Sequence, residues 1–71
     1  MTRNEIDLAK YEYTSGIMDK FRDIQRLSNS LKNPEDRAKN IATFARISDC
    51  FTDIQRYYEL LEAVLFEEPE D

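Results

Sequence analysis

Between Phe44 and Leu65, large apolar side chains recur at alternating steps of three and four: Phe44, Ile47, Phe51, Ile54, Tyr58, Leu61 and Leu65. This is the a/d spacing of a coiled-coil-like helix that buries one seam against other helices. Cys50, Tyr57 and Val64 each stand one place before an a residue and widen the stripe to the breadth of a bundle seam. Upstream, Ile17, Phe21, Ile24, Leu27 and Leu31 repeat the spacing, and Ile6 and Tyr13 continue the same face. Leu8, Tyr11 and Met18 form a second stripe at least a third of a turn away. Two helices are predicted.

Local signals set their bounds. Thr2-Arg3-Asn4-Glu5 fits a capping box, so the first helix is expected over 3–31. Thr14-Ser15-Gly16 is its weakest stretch; one continuous helix is expected, with a kink there as the alternative. Asn33-Pro34-Glu35-Asp36 reads as a cap, a proline at the first helical position and two acids in the first turn. This predicts a turn at 32–33, a second helix over 34–66 ended by Pro69 and the acids around it, and an acidic tail over 67–71. The fold class is all-α: an antiparallel helical hairpin forming one domain, residues 1–71.

The chain also repeats itself. Phe21-Arg22-Asp23-Ile24-Gln25-Arg26 recurs as Phe51-Thr52-Asp53-Ile54-Gln55-Arg56, and residues 17–31 match 47–61 at eight of fifteen positions. One helix used twice, or two helices under one constraint, explains the match.

Composition then asks what completes the core. At 71 residues a single core is marginal. Cys50 is alone and histidine is absent, so neither an internal disulfide nor a zinc site is available as a staple. Two helices share one seam and would leave the extra apolar stripes wet. A homodimer that closes an antiparallel four-helix bundle is the simplest remedy. Turning the second copy end over end would level the first repeat of one chain with the second repeat of the other.

Charge supports that orientation. The net charge of −5 hides a gradient: residues 1–58 carry ten Lys/Arg against nine Asp/Glu, whereas residues 59–71 carry six acids and no base. An end-over-end pair sets each basic turn region beside the acidic end of its mate. No apolar run is long enough to span a bilayer, and the N-terminus lacks the layout of a signal peptide. No membrane association and a cytoplasmic location are expected.

Candidate chemistry is sparse. Asp19 with Asp23, Asp49 with Asp53, and Glu59 with Glu62 have the spacing to share a cation, but Arg22, Arg26, Arg46 and Arg56 lie within reach and make surface ion pairs the simpler account. Without histidine, a glycine-rich phosphate loop or a base beside Cys50, no catalytic, cofactor or metal residues are assigned. The seam residues for core and dimer are Ile17, Phe21, Ile24, Leu31, Phe44, Ile47, Phe51, Ile54, Tyr58, Leu61 and Leu65. Acids at a helix C-terminus oppose the macrodipole, so the acidic end does not serve the helix itself. The expected function is therefore a non-enzymatic regulator, inhibitor or adaptor. It would bind a protein partner that is apolar with a basic rim, through Leu8, Tyr11, Met18, Tyr57, Leu60, Phe66, Glu67 and Glu68. Two alternatives stand beside it: a nucleic-acid-binding hairpin dimer touching phosphates through Lys32, Arg37 and Lys39, and a small secretion-type chaperone.

Overall fold

The computed structural model describes residues 1–31 and 36–70. It is an antiparallel pair of helices, α1 (Arg3–Asn29) and α2 (Arg37–Leu65), packed along their length. The Cα envelope measures 58 × 14 × 10 Å, a slab one helix thick.

The predicted capping box forms. The Glu5 N–H donates to Thr2 Oγ1 at 3.2 Å, and the Thr2 N–H donates to Glu5 Oε1 at 3.1 Å. At the other end, α1 stops two residues short of Leu31. The Ser30 hydroxyl donates to the Leu27 carbonyl at 2.6 Å, competing for the acceptor that another turn of helix would use. The second helix begins at Arg37, with Asp36 accepting from the Lys39 N–H at 3.2 Å as its cap. That start is three residues later than expected, because Asp36 is as good a cap as Asn33 and stands next to the first helical turn. The cap and proline predicted at Asn33 and Pro34, and the turn at 32–33, lie outside the described residues. α2 ends at Leu65, one residue before the predicted end, with Phe66 as its cap.

No break occurs at Thr14-Ser15-Gly16; α1 is continuous through it. The glycine has a packing reason instead. A Cβ at Gly16 would stand 2.7 Å from the Tyr57 ring, so the missing side chain is what admits that ring. Tyr57 also meets Tyr13, with ring centroids 6.4 Å apart and tilted by 40°. Pairing Tyr13 with Tyr57 sets the register: seven-residue steps either way bring Ile6 level with Val64, Lys20 with Cys50, and Leu27 with Thr43. The Lys20–Asp53 bridge at 3.2 Å and the N-terminal amine, 3.5 Å from both Glu67 and Glu70, agree with it.

This register corrects the predicted seam by one residue. Among the described residues the buried ones are Ile6, Thr43, Cys50 and Val64. The innermost row of α2 is thus Thr43, Cys50, Tyr57 and Val64, with Ile47, Ile54 and Leu61 half-buried beside it. Phe44, Phe51, Tyr58 and Leu65, the a positions, remain 54–59% exposed, and Phe21 on α1 is exposed as well. Size decides which row goes inside. Small Thr43 and Cys50, with Gly16 opposite Tyr57, let the two backbones close up, whereas a row of three aromatics and a leucine would hold them apart. The Thr43 hydroxyl donates to the Lys39 carbonyl at 3.0 Å and so enters the core satisfied.

Candidate functional site

The exposed a residues lie one place beyond the buried row of α2, and Phe21 lies one place beyond the half-buried Lys20 of α1. Both helices are right-handed and run in opposite directions, so a one-residue advance turns both toward the same side of the slab. Phe21, Phe44, Phe51, Tyr58 and Leu65 therefore share a face, floored by half-buried Ile17, Ile24, Ile47, Ile54 and Leu61. The internal repeat sits at its centre. In the register set by Tyr13 and Tyr57, Phe21 and Phe51 stand within about 3 Å of the same level, at 1.5 Å per residue.

The rims of this face are uncharged along most of their length. One further step outward lie Tyr11, Met18 and Gln25 on α1, and Ile41, Ser48 and Gln55 on α2. Charge enters only toward the ends: Arg37 continues the Phe44–Leu65 row at the turn end, while near the termini Asp7 continues the Phe21 row, half-buried Lys10 continues the Ile17–Ile24 row, and Glu62 stands on the rim. Between Tyr58, Leu61, Glu62, Leu65 and Phe66 runs an apolar groove of about 360 Å³.

The opposite side of the slab is polar. A shallow cavity of about 320 Å³ there is lined by Asp23, Arg26, Leu27, Arg46, Asp49 and Cys50. On this side Arg26 reaches Asp23 at 2.9 Å and Lys20 reaches Asp53 at 3.2 Å, while Arg22 approaches Asp19 at 3.7 Å on the back of α1. The hydrogen bond to Asp53, and then its charge, hold the Lys20 ammonium above its ordinary pKa. The described residues contain no group of three or more side chains able to hold a metal ion. No helix among them is long and apolar enough to cross a membrane.

The residues expected to bind a partner do not form one patch. Tyr57 turns inward onto Gly16 and Tyr13. Leu8, two places after buried Ile6 and so about 200° around the helix, lies on the back of α1. Tyr11 and Met18 flank the uncharged face instead. Leu60 and Phe66 sit at the acidic end with Glu67 and Glu68, and Phe66 is 81% exposed. Of the expected phosphate contacts, Arg37 and Lys39 are exposed on the first turn of α2, and Lys32 lies outside the described residues.

Ile41 and the polar rim residues Gln25, Ser48 and Gln55 were not singled out by the sequence pattern. Their signal is positional: Ile41 stands three places before Phe44, and the glutamines are outward only once Thr43, Cys50, Tyr57 and Val64 are known to be inward. No protein-family model, curated protein or solved structure matches the chain.

Proposed function

We propose that this chain is a non-enzymatic protein-binding module that acts as a pair of copies, a small regulator, inhibitor or adaptor. The observation that carries the reading is the uncharged apolar face built on Phe21, Phe44, Phe51, Tyr58 and Leu65. Water-facing aromatics in a continuous row on a two-helix slab are the mark of a surface meant for another helical surface. Pairing covers that row and leaves the acidic end, with Leu60, Phe66, Glu67 and Glu68, to engage a partner that is apolar with a basic rim.

The test is molar mass by light scattering on size exclusion over a hundredfold concentration range, for the native chain and for Phe51→Gln. The expected result is twice the chain mass for the native protein and a shift toward one chain mass for the variant. Far-UV circular dichroism would establish that the variant keeps its helices. A helical monomer at every concentration of the native chain removes the pairing. For the acidic end, Glu67→Lys with Glu68→Lys should leave the mass unchanged and abolish calorimetric binding to an amphipathic Leu/Lys helical peptide.

A further inference from the structure

The geometry points to a particular second copy: one turned end over end, lying α2 on α2 and α1 on α1, with the two-fold axis crossing the face at the level of Lys20 and Cys50. This rests on the self-association just proposed and adds to it the face, the orientation and the register.

Three independent features share that centre. Ile47 and Ile54 are equidistant from a point between Cys50 and Phe51, and Ile17 and Ile24 from a point between Lys20 and Phe21, and the hairpin register places these points within about 1.5 Å of one level. A two-fold axis there sets Ile47 against Ile54 of the second copy and Ile17 against its Ile24, with Phe21 and Phe51 gathered at the middle. Secondly, the midpoint of Arg37 and Glu62 along α2 also falls at about residue 50. These are the charges at the two ends of the row and its rim, and end-over-end docking brings each Arg37 to the Glu62 of the mate. Same-end docking would instead gather both copies' Asp7 and Glu62 together. Thirdly, exposed Ile41 falls at the level of residues 58–60 of the second copy in this register, at the Tyr58 end of the groove that continues past Leu61 and Glu62. Knob and hole thus belong to the same sequence, as a two-fold interface requires.

The exposed surface is of the right size. A compact monomer of 8.4 kDa has about 4,600 Å² of accessible surface, whereas this chain has 5748 Å². The excess of about 1,100 Å² exceeds the roughly 800 Å² that each partner commonly gives to a stable interface. A charge-free strip also demands a charge-free mate, because an unpaired charge against it would be desolvated without compensation.

Disulfide capture tests the register. In a Cys50→Ala background, Arg37→Cys combined with Glu62→Cys should oxidise to a covalent dimer, while each single-cysteine chain stays monomeric on a non-reducing gel. The two positions are about 37 Å apart along one helix at 1.5 Å per residue, so they cannot bridge within a chain. Arg37→Glu should weaken the dimer about tenfold, since two rim pairs become repulsions, and Glu62→Arg in the same chain should restore it. Capture through Asp7→Cys combined with Glu62→Cys, in place of the Arg37 pair, would overturn the orientation in favour of same-end pairing, which stacks α2 on α1 of the mate. A dimer by light scattering that neither captures nor responds to the charge swap would overturn the face. A monomer by light scattering would remove the pairing on which both rest.

Discussion

Gly16 and Tyr57 show how one residue can be misread in isolation and explained by another. In a lone helix the glycine costs about 1 kcal/mol relative to alanine, so Gly16→Ala would be expected to stabilise. Here a Cβ would stand 2.7 Å from the Tyr57 ring, and that ring also meets Tyr13. Gly16→Ala should therefore destabilise the hairpin, by about 1 kcal/mol once the overpacking cost exceeds the helical gain. In a Tyr57→Leu background the same substitution should change sign and stabilise. Urea titrations of the four chains check this, and additive effects would contradict the contact. A softened helix was legible from Thr14-Ser15-Gly16; the ring that needs the gap was not, because it comes from a residue about forty positions away.

At the scale of the element, local chemistry was legible where one cap dominates and not where two compete. Thr2 and Glu5 bond reciprocally as the motif dictates. Asn33 and Asp36 are both competent caps three places apart, and nothing local ranks them, so the start of α2 was read too early. The first cap has a pH signature. The Thr2 N–H hydrogen bond holds the Glu5 carboxyl below its ordinary pKa. A carboxylate with a depressed folded-state pKa contributes stability that is present above its unfolded value and is lost as pH falls through the folded one. Acid should therefore fray the start of α1 before the helix middle. Amide exchange at residues 3–6 followed from pH 6 to pH 2 reads it out, and Glu5→Gln, which still offers the Thr2 N–H an acceptor but cannot titrate, should remove most of the pH dependence of that exchange. Unchanged pH dependence in Glu5→Gln would show that the Glu5 carboxyl of the capping box is not its source.

For the whole molecule, the apolar positions were legible as a broad stripe, but a stripe that wide does not say which edge faces the other helix of the same chain. Packing settles it through size: Thr43 and Cys50 go in, Phe44 and Phe51 stay out, and a second face results. Once that edge is known, the polar residues take on meaning. Gln25, Ser48 and Gln55 lie along the exposed apolar row, whereas Thr52, one place past Phe51, turns about 100° further from the slab's core. If another helical surface covers this face, charge should be tolerated at Thr52 and resisted at Gln55, although all these side chains are exposed in the single hairpin. Thr52→Glu and Gln55→Glu add the same charge to the same helix, so net charge does not separate them. The second should weaken self-association about tenfold, the cost of bringing like charge to an apolar interface, and the first by less than twofold. Part of the Gln55→Glu loss should be recovered by raising salt or by protonating the new carboxyl below about pH 4, near the ordinary glutamate pKa. Sedimentation equilibrium of both variants at two salt concentrations measures this, and equal weakening in the two would mean that the neutral rim does not bound an interface.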